Sequence, residues 1–287
     1  MSTRYETVIG LETHIELKTE TKAFCSCAVE FGAEPNTHCC PVCTGMPGAL
    51  PVLNAKAVEF AVKAGLLLHC RVSLRSKLDR KNYYYPDLPK AYQISQYDQP
   101  ICTGGWLEIP SGGGTKRIRI ERLHLEEDAG KLIHGEGGTL LDCNRCGVPL
   151  IEIVTMPDFR SAEEVTAYLQ LLRERIRFAG LSDCRMNEGS LRCDVNLSIR
   201  PLGSHALGER AELKNLNSFQ FAAKAIAYEE RRQAAVLDAG GTLLPETRGF
   251  DEGTGETFPM RRKESQSDYR FFPEPDLPPI VLTQEQV

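Results

Sequence analysis

The sequence predicts an α+β domain built on a largely antiparallel sheet with flanking helices. Three observations carry this. Val8 to Leu17 and Leu191 to Arg200 alternate apolar and polar residues with period two. Ser161 to Gly180 repeats apolar residues with helical period instead. Strand-like runs are interspersed with long helices, and no phosphate-binding loop of the G-x-x-x-x-G-K-[ST] type, nor a G-x-G-x-x-G after a strand, marks a nucleotide fold of the parallel kind.

In chain order, Ile9, Leu11, Ile15 and Leu17 point one way and Glu12, His14 and Glu16 the other, which makes a half-buried strand. A Cys-rich loop follows, from Cys25 to Gly48. Asn54 to His69 reads as an amphipathic helix with Asn54 as its N-cap. Residues 80–99 are loop-like, crowded with Tyr, Lys and Pro. Segments 116–126 and 148–155 read as strands, with Gly-rich turns at 111–114 and 135–138. Ser161 and Glu164 form a capping box ahead of the stripe Val165, Leu169, Leu172, Ile176, and Gly180 stops that helix. In the strand ending at Arg200, Leu191, Cys193, Val195, Leu197 and Ile199 face in. Arg192, Asp194, Asn196 and Ser198 face out. Arg210, Glu212 and Lys214 share a face of another strand, and Ser218 to Ala239 is a third helix ended by Gly240-Gly241. The Pro-rich segment 273–287 reads as a linker after a domain covering 1–272.

The 287 residues carry 34 Lys plus Arg against 39 Asp plus Glu, a net charge of -5. No global basic field exists to hold nucleic acid nonspecifically. No apolar run approaches the roughly 20 residues that span a bilayer, and the N-terminus lacks an apolar stretch behind a basic start, so neither membrane insertion nor secretion is expected. The 11 Cys suit a cytoplasmic protein with metal-binding or buried thiols better than a disulfide framework.

Cys25-Ser-Cys27 with Cys40-Pro-Val-Cys43 offers four soft ligands in two short-spaced pairs, a tetrahedral zinc set with no open position, hence structural. His38 and Cys39 are rivals to Cys40, which is preferred for its two-residue gap to Cys43. Ordinary thiols are the plainer reading. Cys143 and Cys146 form a second C-x-x-C with no completing pair, and structural thiols are expected there.

Glu12, His14, Glu126, Glu127, Glu152 and Asp194 make a second set. Magnesium takes hard oxygen ligands, and Glu152 in the apolar run VPLIEIV is costly to bury unless a cation or donors meet it. A salt bridge to an arginine such as Arg192 is the alternative. Arg80, Lys81, Tyr83 to Tyr85, Lys90, Tyr92 and Lys131 are cations and rings suited to a triphosphate, or to plain packing. No nucleophile signature of an amidase is present.

The blocks YETVIGLETHIELKT, FCSCAVEFGAEPNTHCCPVCTGMPGALPVLN, DRKNYYYPDLPKAYQISQYDQPI, HLEEDAGKLIH, NRCGVPLIEIV, EGSLRCDVNLSIRP, ELKNLNSF and DYRFFPEPDLPP closely resemble the B subunit of the aspartyl/glutamyl-tRNA amidotransferase family, in the same order along nearly the whole chain. The resemblance implies a catalytic cradle similar to the glutamine synthetase and guanido kinase fold, with a zinc-binding loop at 25–43. It implies ATP- and magnesium-dependent phosphorylation of the side-chain carboxylate of Glu-tRNA(Gln) or Asp-tRNA(Asn). Ammonia channelled from the A subunit, an amidase, then displaces phosphate, an EC 6.3.5 ligase reaction, while the small C subunit wraps the assembly. Carried over by position, Glu12, His14, Glu127, Glu152 and Asp194 are the catalytic cluster, with Glu126 a close rival to Glu127. Magnesium falls to Glu12, His14, Glu126, Glu127 and Glu152, phosphate contacts to Lys81, Lys90 and Lys131, and zinc to Cys25, Cys27, Cys40 and Cys43. Cys143 and Cys146 depart from the family pattern. The family's helical and tail domains, which hold the tRNA, are not in this sequence. The competing expectation, from another class, is a non-catalytic zinc-stapled module that docks an amidase or RNA.

Overall fold

A computed structural model describes residues 4–262 and 269–287, with the side chains of 261 and 262 left aside. Met1 to Thr3, and Asp268 at the head of the DYRFFPEPDLPP block, lie outside the described residues. Along the chain run β1 (Tyr5–Glu16), α1 (Ala55–Leu67), β2 (Arg71–Val72), β3 (Arg75–Ser76), β4 (Asp79–Asn82), β5 (Tyr92–Ser95), β6 (Cys102–Ser111) and β7 (Gly114–Glu127). Then come β8 (Lys131–Gly135), β9 (Gly138–Asp142), β10 (Pro149–Thr155), α2 (Ala162–Phe178), β11 (Leu191–Pro201), β12 (Ala211–Lys214) and α3 (Phe219–Asp238). The last elements are β13 (Glu246–Asp251), β14 (Glu256–Arg262), β15 (Phe272–Pro273) and β16 (Ile280–Val281).

Nine strands form one sheet in the order β14-β13-β12-β11-β1-β10-β7-β6-β2. Every neighbouring pair is antiparallel except β12 and β13, which α3 connects as a crossover. The first strand of the chain therefore lies at the centre. β10 and β11 flank it, both antiparallel to it, and α2 carries the chain from one to the other.

Period-two alternation sets the two faces. Ile9, Leu11 and Ile15 of β1, Ile151 and Ile153 of β10, and Val195 and Leu197 of β11 are all buried in one core with Val165, Leu169, Leu172 and Ile176 of α2 and Ala222, Ala225 and Ile226 of α3. Asn54 caps α1 by accepting the Lys56 amide at 2.9 Å. Ser161 caps α2 by accepting the Glu164 amide, while the Glu164 carboxylate accepts the Arg160 amide at 2.7 Å and the Lys116 ammonium at 2.7 Å. The capping-box glutamate thus also ties α2 to β7.

A small sheet in the order β15-β4-β5 packs against the end of β7, and its Ile94 joins the main core. Residues 80–99, loop-like in composition, supply two of its strands. Their pairing is tertiary: β5 hangs its backbone and side chains on the end of β7, with Gln93 Nε2 donating to Glu127 O at 2.7 Å and the Leu125 amide donating to Gln96 Oε1 at 3.0 Å. The tail, linker-like in its prolines, is likewise packed. β15 pairs with β4 and β16 with β3, Ile280 enters the core, and buried Glu274 accepts Arg80 Nε at 2.7 Å. Proline tolerates such edge pairing because only one side of an edge strand must donate.

Ile15→Ala is expected to cost about 2–5 kcal/mol of unfolding free energy, the range for truncating a buried aliphatic side chain. Urea denaturation followed by far-UV circular dichroism checks this.

Candidate active site and four-cysteine centre

The polar face of the sheet holds its charges in register. Arg192 on β11 lies opposite His14 on β1, His14 opposite Glu152 on β10, and Glu152 opposite His124 on β7. Directly opposed residues share a face, so this row crosses four strands. One step along, Glu12 faces Asp194.

Two groups of potential ligands result. In the first, one donor atom each from His14, Glu126 and Glu152 lies within 4.8 Å of the others. His14 Nε2 stands 3.6 Å from Glu126 Oε1 and 3.5 Å from Glu152 Oε2. Behind them, buried His124 places Nε2 3.1 Å from Glu152 Oε2 and 3.7 Å from Glu126 Oε2. In the second, Glu12, Asp194 and Glu212 gather within the same 4.8 Å. Lys214 pairs with Asp194 and sits 3.0 Å from Glu212 Oε1, Asn196 Nδ2 donates to Glu12 Oε1 at 2.9 Å, and Thr247 Oγ1 donates to Glu212 Oε2 at 3.1 Å.

The electrostatics follow from this crowding. Burial disfavours a charged His14, but the Glu152 hydrogen bond and the charges of Glu152, Glu126 and Asp194 outweigh it and raise its pKa to about 9. His124 is raised as well, against its burial, chiefly by the Glu152 charge. Glu152 is held well below the usual carboxylate range: burial opposes this, and the charges and hydrogen bonds of both histidines overcome it. Protons on the two imidazoles thus balance the carboxylates, and a divalent cation could take their place. The all-oxygen group of Glu12, Asp194 and Glu212 matches the hard donors magnesium takes, and the first group adds one imidazole to two carboxylates.

Other acids and cations named from the sequence lie elsewhere. Glu127, next to Glu126 on the opposite side of the strand, pairs with Lys90 and accepts the Ile94 amide at 2.9 Å, so it straps β5 to β7. Lys90 is further held by the rings of Phe24 and Tyr92. Lys81 lies over the Tyr269 ring, 4.8 Å from its centre, and Lys131 stands exposed on the β8–β9 hairpin. Arg192 meets Asp128 at 2.6 Å rather than Glu152. The structure adds His124 and Glu212 to the residues that the sequence marks. Glu212 is visible on its strand face, but only the β11–β12 register, with Glu212 opposite Asn196, puts it beside Asp194. His124 shares a face with Glu126 by period two, a signal that the neighbouring acids overshadow.

The four sulfurs of Cys25, Cys27, Cys40 and Cys43 lie within 4.8 Å of one another, with Cys40 Sγ 3.9 Å from Cys43 Sγ. Cys39 turns its sulfur to Asn36 O at 3.3 Å, and His38 faces Glu30, so neither joins the group. The Cys25 thiol's hydrogen bond, then the Cys40 amide and the Lys22 ammonium, bring Cys43 down to about 4 against its burial. The same hydrogen bond raises the Cys25 thiol, and burial raises Cys27 to about 11, so protons are held among these sulfurs where a bound cation would displace them. Gly45, at φ +69°, lets the loop close: a Cβ there would stand 2.5 Å from Lys90 Cγ. Cys143 and Cys146 pack against the four without entering the group.

Glu16, on the same face as His14, is half-buried beside Asp128. Burial, the Asp128 charge and the proton the pair shares raise Glu16 to about 8, against the pull of Arg192 and Arg145. Between its ordinary 4.5 and about 8 the folded chain therefore binds more protons than the unfolded chain. Stability contributed by this acid is present at low pH and is lost as pH rises through that window. Glu16→Gln, neutral throughout, is expected to flatten the decline, which urea unfolding at pH 5, 6, 7 and 8 measures.

Among known proteins, the family model described as the GatB/GatE catalytic domain matches residues 7–287. The chain is 61% identical over 280 residues to the aspartyl/glutamyl-tRNA(Asn/Gln) amidotransferase B subunit of Caldicellulosiruptor saccharolyticus, covering 97% of this chain and 58% of that protein. It is 59% identical over 283 residues to the protein of that name from Caldanaerobacter subterraneus subsp. tengcongensis, covering 98% and 60%. For the Carboxydothermus hydrogenoformans protein the figures are 57% over 287 residues, 98% and 60%. The chain thus spans about three fifths of the length of these curated relatives. No helix among the described residues is long and apolar enough to cross a membrane. With the family's model covering all but the first six residues and relatives of this identity, the chain belongs to the GatB/GatE catalytic domain family.

Proposed function

We propose that this chain is the cradle of the kinase and transamidase subunit of a tRNA-dependent amidotransferase. ATP phosphorylates the side-chain carboxylate of Glu-tRNA(Gln) or Asp-tRNA(Asn), and ammonia converts the acyl phosphate to the amide. The observation that carries the reading is the pair of ligand groups, His14, Glu126, Glu152 and Glu12, Asp194, Glu212, side by side on one sheet face. The relatives' names supply the substrate class.

The chemistry calls for such a face. A carboxylate resists ammonia because oxide is its leaving group. Moving the γ-phosphoryl of ATP onto a carboxylate oxygen leaves ADP and an acyl phosphate; ammonia then adds at the acyl carbon and inorganic phosphate departs. Glu12, Asp194 and Glu212 would hold one magnesium ion and His14, Glu126 and Glu152 a second. Bound there, the ions offset charge on the transferred phosphoryl group. Lys214 holds Asp194 and Glu212 in place, His124 orients Glu152, and Lys81, on β4 against the Tyr269 ring and outside both groups, is kept as a proposed phosphate contact only through the family resemblance. No acid, base or thiol arrangement here is assigned to releasing ammonia, which the amidase partner would supply, with the small third partner and the mischarged tRNA completing the assembly. The mostly antiparallel sheet with one charged face supports a likeness to the glutamine synthetase fold. Residues 1–272 would form the cradle, with 25–43 its structural zinc loop, and the packed tail would lead toward the tRNA-holding parts of longer relatives. The setting is cytoplasmic.

Glu152→Ala and Glu212→Ala are each expected to weaken Mg–ATP binding about 10–100-fold with the far-UV spectrum retained. Titration calorimetry reads this, and unchanged affinity in both would favour the docking-module reading. Cys40→Ser is expected to lower zinc content and melting temperature together, measured by elemental analysis and calorimetry; unchanged metal content would mean ordinary thiols.

A further inference from the structure

Lys22 is the only lysine among the described residues with no exposed surface at all. Its ammonium makes three contacts: His38 O at 2.6 Å, Cys143 O at 3.2 Å and Cys43 Sγ at 3.5 Å. None of the ion pairs formed among the described residues gives it a carboxylate. Glu127, across Gly147 from it, is already paired with Lys90. A buried ammonium with only dipoles around it is strongly disfavoured, so its environment must carry negative charge. The one source within reach is the cluster of Cys25, Cys27, Cys40 and Cys43.

We infer that Lys22 is the built-in counter-cation of the four-cysteine centre, holding the Cys43 thiolate in place and offsetting the excess charge of a tetrathiolate zinc site. This rests on the zinc reading above. Four thiolates around a divalent ion leave two negative charges in a half-buried loop. One ammonium donating to a ligand sulfur halves that excess, and its other two donors fix where it sits. Its contact with Cys143 O gives the second C-x-x-C loop a purpose that ligation does not: residues 143–146 supply the carbonyl that aims Lys22 at Cys43. Lys22 is thus a positioning residue, acting through the ligands.

The test compares the parent chain with Lys22→Met and Lys22→Arg. Zinc release to a chromogenic chelator is expected to be about 10–100-fold faster in Lys22→Met, with Lys22→Arg close to the parent. Iodoacetamide should modify Cys43 faster in the Met variant, as mapped by mass spectrometry. Equal release and alkylation in parent and Met variant would overturn the inference while leaving the zinc site standing. A parent without stoichiometric zinc would overturn the zinc reading, and this inference with it. Should the Met variant not fold, the parent decides alone: Lys22 is expected to resist acetic anhydride while zinc is bound and to become reactive after chelation. Equal reactivity in both states would overturn the assignment.

Discussion

The structure depends on one constraint: a central strand whose alternate residues must serve two incompatible environments. Ile9, Leu11 and Ile15 drive β1 into the core beneath α2 and α3, and that burial obliges Glu12, His14 and Glu16 to share the other face. A slip of one residue would turn the acids into the core and the isoleucines out of it. Register is therefore enforced by hydrophobic burial on one side, and the charged row on the other side inherits its alignment. The two groups of potential ligands need no special backbone geometry; they follow from pairing β12, β11, β1, β10 and β7 in this order.

Charge within the row is balanced locally. Arg192 goes to Asp128, Lys214 to Asp194 and Glu212, and the two histidines to Glu126 and Glu152. The arginine and lysine are fixed charges, whereas the imidazoles can lose theirs. On the proposed reading, that difference would make a cation and a proton compete for the His14 group and tie its loading to pH. The four-cysteine loop packs near the end of β7. Gly45 lies against Lys90, and Lys90 pairs with Glu127, the chain neighbour of Glu126.

Much of this was legible from residue order alone. Period two marked β1 and β11, the capping box at Ser161 and Glu164 marked α2, and the spacing of Cys40 and Cys43 marked the four-cysteine cluster. What stayed hidden depended on contacts far apart in sequence. β4 and β5 lie in a Tyr- and Pro-rich stretch whose strand character comes from hanging on β7 and on the tail. Choosing Glu126 over Glu127 required knowing which side of β7 faces β1, because adjacent residues point opposite ways. Glu212 joined Glu12 and Asp194 only through the β11–β12 pairing, and the prolines of the tail concealed two short edge strands and a core isoleucine.

The account's central claim is that scattered acids form two cation sites on one charged sheet face. Anomalous diffraction from crystals of this chain grown with manganese and a non-hydrolysable ATP analogue tests it most directly. Two peaks are expected, one among Glu12, Asp194 and Glu212 and one among His14, Glu126 and Glu152, with the cations between the sheet and the triphosphate. Crystals with bound nucleotide but no manganese on that face, or with the metal held only by other residues, would contradict it.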